Sequence, residues 1–247
     1  MRQSNLLPNE DETLDSFFHG RVRVLQKKRG YRFSVDAPLL ADFVRTEGTD
    51  ELLEIGTGVG IISLLLCAKP LRRITAVEVQ PSLAELARRN VVLNALEKKI
   101  TVVEADYRTY EPRQKFDVVL SNPPYIKKRG GQVSLSEEKS IAKHELKGDI
   151  FDIMRKTREF LKEEGRAYFI YPEKRREDFF EAVEASGLIF KAVRPIRPRA
   201  AESANLFLSE CVLTSVTTEL LPPLVLYEAD GRYGAEARAI FAGRGVS

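Results

Sequence analysis

Leu52-Leu53-Glu54-Ile55-Gly56-Thr57-Gly58-Val59-Gly60-Ile61-Ile62 decides how this chain folds. Glu51 to Ile55 is short and mostly apolar, which suits a strand buried on both faces. Three glycines follow, each able to take a positive φ and to let backbone approach a ligand. Ile61 to Cys67 is apolar on most sides, as in a helix packed under a sheet. Strand, glycine turn and helix together begin an open α/β sheet, whose ligands bind beyond the carboxyl ends of the strands. In the nicotinamide fingerprint G-x-G-x-x-G the third glycine comes one residue later than here, where Ile61 stands. That departure disfavours a pyrophosphate, which needs the open N-terminus of the helix.

The same alternation continues downstream. Ile74 to Val79 reads as a second strand, and Pro81 opens a helix at the position where its missing N–H costs nothing. That helix puts Leu83, Ala87 and Val91 on one face, with Glu85 four residues before Arg89. Ile100 to Val103 and Phe116 to Leu120 are the third and fourth strands. Ile150, Ile153, Met154, Thr157 and Phe160 mark an amphipathic helix that Gly165 is expected to end. Ala167 to Tyr171 is a fifth strand, and Glu173 to Ala185 a helix closed by Gly187. Leu188 to Val193 and Leu206 to Leu213 follow with no helix between, so they should pair antiparallel. The fold expected is α/β: a mixed, mostly parallel Rossmann-like sheet with an antiparallel last strand and helices on both faces.

Upstream, Arg21 to Lys27 alternates as a strand or hairpin arm, and Pro38 to Phe43 starts a helix with Asp36 near its N-terminus. Residues 1–20 read as a flexible tail. Residues 21–247 read as one domain, with an arm over 21–47, a core over 48–228 and a C-terminal extension over 229–247.

Carboxylates close three successive strands. Glu54 precedes the glycines, Glu78 ends the second strand next to Val79, and Asp106 follows the third strand next to Tyr107. A carboxylate at the position of Glu78 accepts bonds from ribose hydroxyls. Asp106 suits an adenine amino group, and the Tyr107 N–H suits the ring. One acid of this kind is usually a solvated strand end. Three beside a glycine loop suit a ligand with an amino acid head, a ribose and an adenine, and a cationic sulfur rather than phosphates.

The fourth strand runs directly into Ser121-Asn122-Pro123-Pro124-Tyr125. An exocyclic amine on a heteroaromatic ring is a poor nucleophile, because its lone pair is delocalised. The Asn122 side-chain carbonyl and the Pro123 backbone carbonyl are placed to accept its two N–H bonds and to aim the lone pair. Pro123 and Pro124 fix the backbone so that both acceptors are prepositioned. Tyr125 can stack on a base. The bland alternative is a rigid turn, for which Asn-Pro is common.

The chain has 247 residues, a net charge of +3, two cysteines and two histidines. Cys67 and Cys211 have no metal or redox spacing, so no metal is expected and the thiols read as reduced. No long apolar run or secretory leader is visible, which points to a cytoplasmic protein without membrane contact. The modest charge neither requires nor excludes a nucleic acid, because local patches decide. Basic residues gather at Lys27-Lys28-Arg29-Arg32, at Lys127-Lys128-Arg129 beside the Asn-Pro loop, and at Arg194-Arg197-Arg199. The second group is suited to phosphates of an incoming strand.

Leu52 to Asp106 resembles the cofactor site of class I methyltransferases, which implies S-adenosyl-L-methionine held by Glu54, Gly56, Thr57, Gly58, Glu78, Val79, Asp106, Tyr107 and Asn122. Asn122 to Tyr125 resembles the (D/N)-P-P-(Y/F/W) signature of amino-methyltransferases, which act on adenine N6, cytosine N4, guanine N2 or a glutamine amide. With Gly30 to Leu40 and Ala142-Lys143-His144-Glu145 added, the chain from about Val24 to Leu226 resembles bacterial enzymes that methylate adenine N6 beside the anticodon of a valine tRNA. Lys143 departs from the arginine of many relatives. The resemblance implies that Asp36 helps close the cofactor pocket, although a helix cap is an equal reading. Lys127, Lys128, Arg129, His144, Arg197 and Arg199 become candidate RNA contacts. Alternatives are a release-factor glutamine or rRNA guanine-N2 methyltransferase, a DNA adenine methyltransferase, a silent RNA-binding module and a nicotinamide oxidoreductase. Oligomeric state is left open.

Overall fold

Glycine turns and apolar runs resolve into strands and helices in the order anticipated. In the computed structural model the described residues are 7–29, 35–123 and 150–243. Strands β1 (Glu12–Phe17) and β2 (Val22–Lys27) form an antiparallel hairpin. Then come α1 (Asp36–Phe43), β3 (Glu51–Ile55), α2 (Ile61–Leu66), β4 (Arg73–Glu78), α3 (Pro81–Leu93), β5 (Ile100–Glu104) and β6 (Phe116–Ser121). After them follow α4 (Ile150–Phe160), β7 (Leu161–Pro172), a single 3-10 turn (Glu173–Arg175) and α5 (Arg176–Ser186). The chain finishes with β8 (Ile189–Arg197), β9 (Leu206–Val212), the short β10 (Glu219–Leu220) and β11 (Leu224–Val225), and α6 (Ala235–Phe241).

The main sheet has the order β10-β8-β9-β7-β6-β3-β4-β5, with β11 also paired to β8. Strands β5, β4, β3, β6 and β7 run parallel, while β9 is antiparallel to both β7 and β8. This is the mostly parallel sheet with an antiparallel last long strand that the sequence suggests. Side chains alternate across it. Leu52, Val118 and Leu120 join one core with α1, α2 and α6, while Leu53, Val119 and Phe169 join another with α4 and α5. The strand order makes β3 and β6 neighbours, with Ile55 opposite Ser121. The Ser121 hydroxyl donates to the Ile55 carbonyl at 2.9 Å. Gly56 and Asn122, the next residues, therefore leave the sheet side by side.

Three expectations need correction. The stretch 1–20 is not a free tail throughout: Glu12–Phe17 is a strand paired residue for residue with Val22–Lys27, and Phe18 is buried. Its inward-facing anchor is the charged Glu12 rather than an apolar residue, so it lacks the apolar periodicity of an ordinary half-buried strand. The amphipathic helix ends at Phe160, before Gly165, which lies within β7. A Cβ on Gly165 would lie 2.8 Å from Leu161 Cδ2 and 2.9 Å from the Lys162 carbonyl, so close packing demands glycine there. Third, Arg89 does not pair with Glu85. Glu85 meets Arg88 at 3.6 Å, and Arg89 turns inward to Glu12 at 2.8 Å.

Among the described residues no helix is long and apolar enough to cross a membrane, and no group of three His, Cys, Asp or Glu side chains is placed to hold a metal ion. Cys67 and Cys211 are free thiols, both shifted upward by burial, Cys67 to about 11.

Candidate functional site

Gly56, Gly58 and Gly60 all have positive φ, at 72°, 59° and 85°. The loop they form is tied to the end of β4, because the Gly56 and Thr57 N–H groups both donate to the Val77 carbonyl at 2.9 and 3.0 Å. The next residue of β4, Glu78, accepts the Gly58 N–H at 2.9 Å through Oε2 and the Gln80 N–H at 2.9 Å through Oε1. Glu78 is buried, whereas Val79 beside it exposes its apolar side chain at 37%. Among the described residues, an ideal Cβ on Gly56 would meet no atom within 4 Å beyond its chain neighbours. The mouth of the loop is thus an open space with bare backbone, a carboxylate and an apolar surface.

Glu54 lies beneath this loop and is 1% exposed. Its Oε2 accepts the Thr57 hydroxyl at 2.8 Å, the Ser63 N–H at 3.1 Å and a close bond from the Ser63 hydroxyl. Burial pushes its pKa up to about 7; the three bonds oppose this and the nearby Glu78 adds to it. Glu54 therefore shapes the loop from below. Ser63, which the sequence reading passed over, is its main partner, and its only sequence signal is a polar residue in an otherwise apolar helix.

Asp106 follows β5. Its two oxygens accept the Arg108 Nε–H at 3.0 Å each, and its Oδ1 also accepts the Arg108 backbone N–H at 2.9 Å. Arg108 holds the carboxyl below its ordinary range. Tyr107 is buried. The Arg108 Nη2–H donates to Oδ2 as well, at 2.5 Å, so Arg108 engages both carboxylate oxygens. Asp36 is buried at the first position of α1, and Val35, at the N-cap, makes no side-chain cap bond. The helix Asp36 opens packs on α2, directly behind the glycine loop.

Asn122 is partly exposed and Pro123 buried at the end of β6. Pro124, Tyr125, Lys127, Lys128, Arg129 and His144 lie outside the described residues. Of the remaining basic candidates, Arg197 donates to the Ala200 carbonyl at 3.2 Å and Arg199 pairs with Glu202 at 2.9 Å. Both stand at the carboxyl end of β8, on the same side of the sheet as Asn122 but three strands away. The basic arm is partly neutralised, because Lys27 pairs with Asp11 and Glu12.

A family model described as "Methyltransferase small domain" matches residues 31–178, which include the glycine loop, all three acids and the Asn-Pro loop. The chain belongs to that family. S-adenosyl-L-methionine is the methyl donor of this methyltransferase. The residues present fit it. Among the described residues two carboxylates border the loop and no lysine or arginine pairs with the buried one, Val79 offers an apolar face to a ring, and the loop glycines have positive φ.

Among curated relatives, a tRNA1(Val) (adenine(37)-N6)-methyltransferase from Flavobacteriaceae bacterium (strain 3519-10) is 31% identical over 62% of this chain. That match spans 64% of the relative's length. One of the same name from Actinobacillus pleuropneumoniae is 26% identical over 85% of this chain and 88% of its own. Solved structures support the fold. A protein from Agrobacterium tumefaciens, titled a predicted O-methyltransferase, aligns with TM-score 0.67 at 22% identity, covering 86% of this chain and 98% of its own. A tRNA m1G37 methyltransferase of M. jannaschii aligns at 0.56 and 20%, covering 84% and 58%.

Proposed function

We propose that this methyltransferase transfers a methyl group to the exocyclic N6 of an adenine in tRNA, next to the anticodon of a valine tRNA. One observation carries the nitrogen chemistry: Asn122 and Pro123 leave β6 directly beside Gly56 of the cofactor loop. The printed activity of the relatives supports the choice of adenine in tRNA.

When bound, S-adenosylmethionine supplies an electrophilic methyl on a positively charged sulfur. Glu78 holds the ribose, and Val79 and Asp106 hold the adenine. Glu54 keeps the loop in shape and contributes negative charge beneath the cation. The target amine donates its two N–H bonds to the Asn122 side-chain carbonyl and the Pro123 backbone carbonyl. Its nitrogen becomes more tetrahedral, and its lone pair points toward Gly56. No strong base is needed, since the proton leaves to water after transfer. An anticodon-loop base is already partly unstacked, which lowers the few kcal/mol needed to flip it.

The test is incubation with labelled S-adenosylmethionine and unmodified tRNA, rRNA, DNA or a release factor, with the product identified by mass spectrometry. N6-methyladenosine in tRNA alone is the expected result. N2-methylguanosine in rRNA or methyl-glutamine would replace the acceptor and keep the nitrogen chemistry. Asn122→Ala should lower kcat at least about a hundredfold, as for loss of a prepositioned polar group in a catalytic site. Cofactor Kd should change far less than kcat, within about threefold, because the groups at Glu78, Val79 and Asp106 are kept. Full turnover by Asn122→Ala would remove the assigned role.

A further inference from the structure

We infer that Asn90 is a positioning residue for the cofactor loop, joining it to the N-terminal hairpin. Asn90 sits within α3 and is fully buried. A buried amide is costly unless bonded, and this one is bonded to two different parts of the chain. Its Nδ2 donates to the Val59 carbonyl at 2.9 Å and to the Leu25 carbonyl of β2 at 2.9 Å, while its Oδ1 accepts the Leu25 N–H at 2.7 Å. Val59 is the residue between Gly58 and Gly60. Its carbonyl is therefore gripped in the middle of the loop, while Glu78 holds the Gly58 N–H from the other side. One turn earlier on α3, the Ala87 Cβ would meet a Cβ on Gly60 at 3.4 Å. Helix α3 thus holds the loop by hydrogen bond at Val59 and leaves little room for a side chain at Gly60.

Asn94, one turn later, supplies an internal comparison. It accepts the Arg23 N–H at 2.9 Å and donates to the Arg23 carbonyl at 2.7 Å. Arg23 and Leu25 are alternate residues of β2, so they present backbone to the same side. Two asparagines spaced i, i+4 clamp the hairpin, but only Asn90 also reaches the loop. The consequence is that Asn90 stiffens the loop in its cofactor-binding shape, with the docked hairpin fixing the orientation of the amide.

This inference rests on the glycine loop being the cofactor site, and the experiment separates the two. S-adenosylhomocysteine binding is measured by calorimetry for wild type, Asn90→Ala, Asn90→Asp and Asn94→Ala, with folding checked by circular dichroism. Hydrogen exchange is followed over residues 56–60. Asn90→Ala should weaken binding about tenfold and speed exchange in the loop, the scale of one lost buried hydrogen bond. Asn94→Ala should stay within about twofold of wild type. Asn90→Asp keeps the acceptor for Leu25 and loses the donor to Val59, so it should resemble Asn90→Ala and serves in its place if that variant does not fold. In turnover, the S-adenosylmethionine KM should rise with kcat unchanged, whereas a merely structural defect would lower the active fraction and leave KM alone. Wild-type binding with both Asn90 variants unaffected would overturn the inference. Equal weakening by Asn94→Ala would also overturn it, assigning the effect to hairpin docking. Failure of wild type to bind would overturn the cofactor site itself.

Discussion

The glycine loop and the N-terminal hairpin each bury a glutamate, and they treat its charge in opposite ways. In the hairpin, burial alone would raise the pKa of Glu12. The bond and charge of Arg89, the Asn9 N–H and Lys27 outweigh this and hold it at about 2. Under the loop, Glu54 is bonded by hydroxyls and an amide, and no lysine or arginine among the described residues pairs with it. Its pKa is pushed up to about 7. Where a carboxylate serves the fold, the chain provides the cation. Beneath the loop proposed to hold a cationic ligand, the described residues supply none.

The largest effect is expected at the hairpin. Glu12→Gln leaves Arg89 buried without its counter-charge, which should cost about 3 kcal/mol of unfolding free energy in a urea titration. Because the folded pKa of Glu12 is lowered, its contribution is present above the ordinary value of 4.5 and is lost as pH falls from there to about 2. An acid titration should show that loss in wild type and not in Glu12→Gln. Unchanged stability in Glu12→Gln would break the contrast.

Glu54→Gln should give the opposite pattern. The folded pKa of Glu54 is raised, so between 4.5 and about 7 the folded chain holds a proton that the unfolded chain releases, and stability falls as pH rises through that window. Glu54→Gln at pH 8 should therefore match or exceed wild type in Tm without cofactor, yet bind S-adenosylmethionine about tenfold more weakly. Wild-type affinity should tighten as pH rises toward 7, and the variant's should not. A drop in Tm with intact affinity would make Glu54 a structural carboxylate like Glu12.

The smallest effect is expected at Asp106. Arg108→Ala frees both oxygens for the cofactor adenine, and Kd should fall about two- to threefold, the scale of a partly exposed pair. Weaker binding would mean that Arg108 itself helps hold the ring.

Much of this contrast could be read along the chain, and some could not. Apolar runs found β3 to β6 within a residue or two, and Gly187 at φ 74° ends α5 as anticipated. The strand Glu12–Phe17 escaped because its buried anchor is a charged residue whose partner stands 77 positions away. Strands β10 and β11 have two residues each, too few for a periodicity, though Leu224 and Leu226 pack in the same core as β3. At the site, the residue types at the strand ends were legible because glycine, carboxylate and Asn-Pro each have a local chemical reason. Their partners Ser63, Arg108 and Asn90 carried little local signal.

The sequence by itself determined the order of strands and helices from β3 to β9, the glycine loop and the Asn122-Pro123 step that follows β6, because backbone periodicity, positive φ and proline geometry act over a few neighbouring residues. Tertiary structure decided that β3 and β6 are neighbours, that among the described residues Glu54 has no cation while Glu12 receives one, and that Asn90 reaches Val59 and Leu25 at once. These depend on which distant segments share a buried space, where desolvation makes each polar group find a partner.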